Sequence, residues 1–222
     1  MNIALFGSGE FTDSVNEIDQ YLIQQYGLKS VAVLPTAAGK ERDYNKWLDL
    51  ALSHYESLGI KVIPVPIIDT QGANDDKLIS LLDTTDWIFF SGGRPDYLLS
   101  TLKGSKLWDK VIDKTARGAL LTGSSAGAMI MGKYIFTNLL EAIFSNTSAA
   151  WAEAFGLVDY SIIPHYNKVV NHKNILLKII DNGPEEVKAS WIGIDEDTAL
   201  IIDGSGSTIK GVGTVDFHTN KH

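Results

Sequence analysis

The first two thirds of the chain alternate between short apolar runs and longer amphipathic stretches. The short runs are rich in β-branched and aromatic residues, and they predict strands at residues 2–6, 30–34, 61–66, 87–90 and 119–121. The longer stretches repeat apolar side chains at helical spacing, and they predict helices at residues 13–26, 42–58, 74–82, 96–102 and 106–115. Strands joined by helical crossovers run parallel. The pattern therefore predicts an α/β fold with a mostly parallel central sheet and helices on both faces.

The last third of the chain has a different pattern. A strand is predicted at residues 161–163 and a helix at 168–180. Short strands separated by glycine-containing turns follow, which predicts an antiparallel, hairpin-linked region at the C-terminal end. These strands are predicted at residues 191–194, 198–202, 208–209 and 213–217. Neither a repeat nor a linker is visible, so we expect one domain over residues 1–217 and a polar tail at 218–222.

Composition narrows the classes of function. The 222 residues carry a net charge of −8, which argues against nucleic acid or anionic lipid as the main partner. The absence of cysteine removes disulfides, thiolate metal sites and cysteine nucleophiles. No apolar run approaches the roughly 18 residues of a spanning helix, and the N-terminus lacks the features of a signal peptide. We therefore expect no membrane partner and a cytoplasmic location.

Glycine-rich turns follow three of the predicted strands, at Gly7-Ser-Gly9, Ser91-Gly-Gly93 and Gly123-Ser-Ser125. The carboxyl ends of parallel strands meet at one edge of the sheet, where ligands bind in such folds. Taken singly, each of these segments is also explained by an ordinary turn. Together they predict the rim of a pocket.

The third of these turns belongs to the pattern Gly123-x-Ser125-x-Gly127, set between an apolar strand and a segment that can begin a helix. This pattern is typical of a nucleophile elbow, in which a tight turn exposes a serine hydroxyl. Ser125 is therefore the candidate nucleophile for acyl transfer. The N–H of Ala126 is a candidate oxyanion donor, and Gly93 is our choice for the second donor, because glycine lets the backbone approach a substrate closely.

A serine needs a base, and histidine fits at neutral pH. Of the five histidines, His165 follows an apolar strand and enters a loop, which suits a side chain aimed into a strand-end pocket. His172 is the reserve candidate. We expect His54 on the surface of a helix, and His218 and His222 in the tail.

The imidazole in turn needs an acid. Asp195, Glu196 and Asp197 lie together between two apolar strands, and a hairpin tip of this kind is often only a solvated turn. The residues alone do not choose among the three.

Four segments, taken in order, resemble the peptidase E-like serine peptidases, a family that includes aspartyl dipeptidase and cyanophycinase. They are Gly-Ser-Ser-Ala-Gly-Ala at 123–128, Phe-Ser-Gly-Gly at 90–93 with Tyr-Leu-Leu at 97–99, Pro-His-Tyr at 164–166, and Gly-Ile-Asp-Glu-Asp-Thr-Ala-Leu at 193–200. The resemblance implies a fold like that of class I glutamine amidotransferases and a Ser-His-Glu triad at Ser125, His165 and Glu196. It also implies hydrolysis of a peptide bond in small substrates with no metal and no cofactor.

One position departs from the family. Arg94 follows Gly93, where the family commonly has Asn or Asp. We hypothesise that Arg94 lines the pocket and pairs with a substrate carboxylate, because its planar fork suits bidentate binding. The alternative is a surface arginine before Pro95. The chain length favours a small dipeptidase, with preference for an acidic N-terminal residue as the corresponding expectation.

Other functions stay open at this point. An α/β-hydrolase-type esterase would use Ser125, then Asp195 or Glu196, then His218. A small-molecule binding or regulatory protein could carry the same fold without catalysis. The sequence also leaves the oligomeric state open, a homodimer included.

Overall fold

The computed structural model describes residues 1–137, 150–170 and 173–219. Its strands, in chain order, are β1 (Asn2–Phe6), β2 (Ser30–Leu34), β3 (Lys61–Pro64), β4 (Trp87–Phe90), β5 (Leu120–Ser124), β6 (Tyr134–Thr137), β7 (Ala150–Glu153), β8 (Ser161–Ile163), β9 (Ser190–Ile194), β10 (Thr198–Asp203), β11 (Gly206–Gly211) and β12 (Val215–Thr219).

Its α-helices are α1 (Asn16–Tyr26), α2 (Asn45–Ser57), α3 (Asp76–Ile79), α4 (Pro95–Leu102), α5 (Lys106–Ala116), α6 (Ala126–Met129), α7 (Tyr166–Val169), α8 (Lys173–Asp181) and α9 (Glu185–Ala189).

Seven strands form the central sheet, in the order β11-β10-β1-β5-β4-β2-β3. The five strands from β1 to β3 in that order pair in parallel. Strand β10 runs antiparallel to β1, and β11 runs antiparallel to β10. The predicted fold class is confirmed: a mostly parallel sheet with an antiparallel hairpin supplied by the C-terminal region.

Both faces of this sheet are buried. Side chains alternate across a strand, so Ile3 and Leu5 of β1 pack into one hydrophobic cluster while Ala4 and Phe6 pack into a second cluster on the other face. Helices α1 and α2 cover the second cluster. Because both faces of the sheet are buried, β1 is apolar at every buried position and does not alternate with polar residues.

The carboxyl end of β5 lies between those of β1 and β4. Phe6 is opposite Ser124 in the β1–β5 pair, and Phe90 is opposite Gly123 in the β4–β5 pair. The three glycine-rich turns therefore leave the sheet at the same edge and side by side.

A smaller sheet lies beside the first, in the order β12-β9-β8, and β6 pairs with β7 as a separate antiparallel pair. Strand β12 continues to Thr219, so residues 218 and 219 extend a paired strand beyond the expected end at 217. The β6–β7 pair was not predicted.

Two predicted helices are divided in the structure. The helix expected at 74–82 is a short α-turn, α3, between two 3₁₀ turns. Asp75 has extended backbone angles and its carboxylate accepts the N–H of Lys77 at 2.8 Å, so it begins a new helix at that point. The helix expected at 168–180 corresponds to α7 and α8, and residues 171–172 lie outside the described residues.

The predicted surface position of His54 is wrong. Its side chain is 2% exposed and its Nε2 lies 2.7 Å from Oδ2 of Asp19, which is equally buried. The expectation failed because a single polar residue on an amphipathic helix normally faces solvent. Among the described helices, none combines the length and the apolar character needed to cross a membrane.

Candidate active site

Ser125 lies in the tight turn that joins β5 to α6. Its backbone angles are φ 48° and ψ −109°, a conformation that few non-glycine residues adopt. A Cβ atom at Gly123 would lie 2.3 Å from the backbone of Gly127, and one at Gly127 would lie 2.3 Å from the carbonyl oxygen of Phe90. Both glycines are therefore required by close backbone contact, and the turn holds the serine hydroxyl clear of the sheet.

His165 lies at the end of β8 and brings its ring to Ser125. Its Nε2 is 3.1 Å from the Oγ of Ser125. The residue has left-handed backbone angles, φ 52° and ψ 34°, and its N–H donates to the carbonyl of Gly7 at 3.2 Å. The imidazole is 40% exposed, so a substrate can reach it from solvent.

Glu196 completes the line on the far side of the imidazole. Its Oε1 lies 2.8 Å from Nδ1 of His165. A proton on Nδ1 donates to this carboxylate, which leaves Nε2 to accept the serine proton. The N–H of Glu196 donates to Oδ1 of Asn167 at 3.1 Å, and the Nζ of Lys168 lies 3.6 Å from Oε2. The first contact fixes the backbone of Glu196, and the second places a positive charge beside its carboxylate.

The two neighbouring acids have other contacts. Oδ2 of Asp195 accepts hydrogen bonds at 2.9 Å from the N–H and the hydroxyl of Thr214. Oδ1 of Asp197 accepts from the hydroxyl of Ser14 at 2.6 Å. Of the acidic trio, the one beside the imidazole is Glu196.

The glycine loop after β4 lies against the serine. A Cβ atom at Gly92 would be 3.5 Å from Cβ of Ser125, so this backbone forms one wall of the site. Gly93 has φ 141°, and the N–H of Arg94 donates to the carbonyl of Ala37 at 2.9 Å. Within the described part of the chain, neither the N–H of Gly93 nor that of Ala126 donates a hydrogen bond to another residue. Both are therefore placed as candidates to receive an oxyanion.

Arg94 lies on the rim directly after this loop. Its guanidinium donates two hydrogen bonds to the carboxylate of Asp96, from Nε at 3.3 Å and from Nη2 at 2.7 Å. The arginine side chain is 55% exposed. The bonds from Arg94 hold the pKa of Asp96 below its ordinary value.

Glu10 is a buried residue of the site that sequence reasoning missed. It is 7% exposed. Oε1 accepts the N–H of Gly92 at 2.8 Å, and Oε2 accepts the hydroxyl of Ser124 at 2.5 Å. The sequence offered one sign of this role, an acidic residue directly after Gly7-x-Gly9 at a strand end. An acid in such a turn is usually expected to face solvent, so its burial was not predicted.

The other histidines are placed elsewhere. His218 lies in β12 and stacks on Trp191, with ring centroids 3.7 Å apart and planes at 10°. Its Nε2 is 3.4 Å from the hydroxyl of Tyr166. His54 bonds to Asp19 in the core. His172 and His222 lie outside the described residues.

Metal ligands do not cluster in the portion of the chain with described coordinates: no group of three or more His, Asp or Glu side chains is close enough to hold an ion there. The polar groups gathered at the sheet edge are instead a hydroxyl, an imidazole and a carboxylate in series. Ala126, whose N–H is one candidate donor, directly follows Ser125 in the chain. This set can activate a serine and receive negative charge on a carbonyl oxygen.

Known proteins share both the sequence and the fold. The sequence model of Peptidase family S51 matches residues 3–210. An uncharacterized peptidase of Listeria monocytogenes is 29% identical over 177 residues, which cover 79% of this chain and 83% of that protein. A second uncharacterized peptidase, from Listeria innocua, is 27% identical over 83% of this chain and 86% of its own length.

Two solved structures are similar over nearly the whole chain. A peptidase from an acI-B1 Actinobacterium superposes with a TM-score of 0.85 at 28% identity, covering 99% of this chain and 91% of that one. A putative peptidase E protein from Listeria monocytogenes superposes with a TM-score of 0.69 at 26% identity, covering 96% and 98%. The family match spans most of the residues and the relatives are peptidases of the same fold, so this chain belongs to Peptidase family S51, the peptidase E family, and is a serine peptidase.

Proposed function

We propose that Ser125, His165 and Glu196 form the catalytic triad of this peptidase, and that it hydrolyses small peptides through an acyl-enzyme. The observation that carries the proposal is the continuous line of hydrogen bonds, 3.1 Å from serine to imidazole and 2.8 Å from imidazole to carboxylate. Each distance lies within the range expected of a nucleophile and its base, and of a base and its orienting acid.

The reaction begins at the serine hydroxyl. Oγ of Ser125 attacks the carbonyl carbon of the scissile bond while Nε2 of His165 takes the hydroxyl proton. The carbonyl oxygen becomes an oxyanion, which accepts hydrogen bonds from the N–H groups of Gly93 and Ala126. Glu196 holds the ring with Nδ1 towards the carboxylate and stabilises the imidazolium that forms.

The second half returns the enzyme to its starting state. The imidazolium gives its proton to the leaving amine nitrogen, the C–N bond breaks, and the amine departs. Water then attacks the ester with His165 as base, and a second oxyanion forms in the same place. Its collapse releases the carboxylic acid and returns the proton to Ser125.

Dipeptides with an acidic N-terminal residue are the substrates we propose. Arg94 follows Gly93 in the chain, so its side chain starts next to the proposed oxyanion donor, and its guanidinium bonds to Asp96 at the rim. The Arg94–Asp96 pair is solvent-exposed, and such pairs contribute about 0.2–1 kcal/mol. A substrate carboxylate can therefore share or replace the Asp96 contact at small cost, with the bidentate geometry that guanidinium favours.

The nucleophile is tested by Ser125→Ala, with hydrolysis followed by chromatography of the released amino acids. We expect turnover to fall by about 10⁴-fold or more, because the covalent route is removed. Ser80→Ala, which removes an exposed hydroxyl that donates to the carbonyl of Lys77, is the matched control and should keep full activity. Undiminished turnover in Ser125→Ala would overturn the proposal.

The substrate class is tested with the dipeptides Asp-Leu, Asn-Leu, Ala-Leu and Lys-Leu. Arg94→Ala should lower kcat/KM for Asp-Leu by about tenfold to hundredfold, as expected for loss of a charge-assisted bidentate contact, and leave Ala-Leu within about twofold. Arg117→Ala is the control, because this arginine also pairs with an aspartate, Asp113, but lies at the end of α5. Equal losses on all four dipeptides would rule out the acidic preference assigned to Arg94.

A further inference from the structure

The turn after β1 contacts each of the loops that carry the proposed site residues. We call residues 7–11 the hub loop. The carbonyl of Gly7 accepts the N–H of His165 at 3.2 Å, and the carbonyl of Ser8 accepts the N–H of Asp197 at 3.1 Å. A Cβ atom at Gly7 would lie 2.1 Å from the carbonyl oxygen of Asp195, so the hub loop directly contacts the turn at residues 195–197.

Glu10 is the charged member of the hub loop, and its two oxygens have separate partners. Oε1 accepts the N–H of Gly92 at 2.8 Å, and Oε2 accepts the hydroxyl of Ser124 at 2.5 Å. Gly92 directly precedes Gly93, and Ser124 directly precedes Ser125. One buried carboxylate therefore joins the residue before the proposed oxyanion donor to the residue before the nucleophile.

The backbone on either side of Gly93 is held at both ends. The N–H of Gly92 is bound by Glu10, and the N–H of Arg94 is bound by the carbonyl of Ala37 at 2.9 Å. Between them, Gly92 and Gly93 have no side chain to restrict their torsions, and Gly93 sits at φ 141°. Without the carboxylate, the segment would be held only by its two neighbours, through the N–H of Ser91 on the carbonyl of Leu34 and the N–H of Arg94 on that of Ala37, and the two glycines between them would be free to turn the Gly93 N–H.

We propose that Glu10 is a positioning residue for the oxyanion site: it sets the place of the Gly93 N–H relative to the Ser125 hydroxyl. This inference rests on the proposed function, since it assigns Gly93 and Ser125 their roles. Hydrogen bonds to a carboxylate are stronger than those between neutral groups, and burial keeps water from replacing it. The oxyanion develops only as the transition state forms, so a misplaced donor lowers kcat and leaves substrate binding nearly unchanged.

Three variants remove the contacts in steps. Glu10→Ala removes both. Glu10→Gln keeps one oxygen for the Gly92 N–H and replaces the other with an amide, which must reverse the hydrogen bond with Ser124. Ser124→Ala removes the second contact alone. Loss of a whole oxyanion donor costs about 10²–10³ in kcat, so displacement of one in Glu10→Ala should cost about tenfold to hundredfold, with smaller losses in the other two variants.

Two measurements are made on each variant. The first is kcat and KM for Asp-Leu, with kcat expressed per active site after titration. The second is the second-order rate of Ser125 labelling by a biotin-linked fluorophosphonate, whose phosphoryl oxygen takes the oxyanion position and which needs no knowledge of the natural substrate. Asp13→Asn, which removes an exposed acid three residues along the chain, is the matched control and should change neither quantity by more than about twofold.

We expect kcat and the labelling rate to fall together in Glu10→Ala, while KM stays within about threefold. Where Glu10→Ala does not fold, Glu10→Gln is judged by the same two quantities. A folded variant whose kcat per site and labelling rate are within twofold of the parent protein would overturn the inference. A variant with a lowered melting temperature or a smaller active fraction, but with unchanged kcat per active site and labelling rate, would also overturn the inference. Such a result would show that Glu10 has a purely structural role.

The outcome for Ser125→Ala separates this inference from the proposed function. If Ser125→Ala retains turnover, the proposed triad is wrong and the role of Glu10 falls with it. If Ser125→Ala is inactive and Glu10→Ala behaves as the parent protein, the triad stands and the positioning role alone is wrong.

Discussion

His54 and Asp19 form a hydrogen bond of 2.7 Å that joins α2 to α1 inside the core, with both side chains 2% exposed. The hydroxyl of Tyr55 donates to the second oxygen of Asp19 at 3.3 Å. Burial raises the pKa of Asp19, against the lowering effect of its bond to His54, and burial together with Asp19 raises the pKa of Tyr55 well above its usual value. The acid, the imidazole and the phenol therefore satisfy one another where water is excluded.

Removing one member of this cluster should be strongly destabilising. His54→Ala leaves the Asp19 carboxylate buried without its imidazole, and loss of one partner of a buried pair costs about 3–5 kcal/mol. Urea unfolding at neutral pH measures the loss. Ser53→Ala, at the neighbouring exposed position of α2, should change the free energy of unfolding by less than about 0.5 kcal/mol. A loss below about 1 kcal/mol for His54→Ala would contradict the structural role.

The acidic trio gives a sharp test of the triad. Glu196→Gln preserves the shape of the side chain but removes the charge that orients the imidazole, so kcat should fall by about 10³–10⁴-fold. Asp195→Asn should keep kcat within about threefold, because Asp195 bonds to Thr214 and an amide oxygen can still accept those bonds. Steady-state kinetics on Asp-Leu measure both. Equal effects of the two changes would argue against Glu196 as the acid.

His218 distinguishes the triad from the esterase order. It continues strand β12, so trimming the chain after Phe217 would remove paired residues as well as the imidazole. His218→Gln is the cleaner change. Activity should be retained, and loss of stacking on Trp191 should lower the free energy of unfolding by about 1 kcal/mol. A hundredfold fall in kcat, with the fold intact by circular dichroism, would instead support His218 as the base.

Gly127 should not tolerate a side chain. A Cβ atom there would lie 2.3 Å from the Phe90 carbonyl oxygen, so Gly127→Ala must displace either β4 or the start of α6. We expect a loss of about 3 kcal/mol or more in stability. Gly204→Ala is the matched control, since a Cβ atom there meets nothing within 4 Å, and it should be nearly neutral. Thermal unfolding of the two variants checks the difference, and similar melting temperatures would refute it.

The Arg94–Asp96 pair should contribute to stability in a pH-dependent way. Hydrogen bonds from Arg94 lower the folded-state pKa of Asp96 below its ordinary value of 3.8. The folded state therefore holds the Asp96 proton less tightly than the unfolded chain. The stabilisation is present above the unfolded pKa and is lost as the pH falls through the folded pKa. Asp96→Asn should cost about 0.5–1 kcal/mol at pH 7, a small figure because solvent screens the pair, and progressively less as the pH falls below the ordinary value of 3.8.

A double-mutant cycle of Arg94→Ala and Asp96→Asn, followed by urea unfolding across this pH range, isolates the pair. A coupling energy that grows towards low pH would contradict the assignment.

Much of the fold could be predicted because its pattern is local. Strands β1, β2, β4 and β8 have the predicted bounds, since each is a short apolar run closed by glycine, proline or a polar turn. Asp75 shows where this fails: its side chain caps a helix inside a stretch whose apolar spacing continues unbroken. A side chain that caps the backbone can end one helix and begin another, and the spacing of apolar residues does not reveal this.

Prediction of the site was uneven for a related reason. Ser125 is marked by glycines that its turn requires, and these are visible in the chain. Glu10 has no such mark, because its partners Gly92 and Ser124 are 82 and 114 residues away, and a buried acid cannot be told from a solvated one by its neighbours. His54 is the same case in the core, 35 residues from the acid it meets.

Strand β1 stands at the start of the chain, but one of its two neighbours in the sheet, β10, lies near the other end. Ile3 lies opposite Ile202, and the carbonyl of Ser8 accepts a hydrogen bond from the N–H of Asp197. A nascent chain that has emerged only as far as β9 carries Ser125 and His165, the proposed nucleophile and base, and the parallel neighbour β5 of β1, but it lacks the antiparallel neighbour β10 and the Asp197 N–H that binds the hub loop. The pairing of β1 with β10 and the hydrogen bond from Asp197 to Ser8 can therefore form only after these late residues have been synthesised, so the complete surroundings of the hub loop depend on the C-terminal part of the chain.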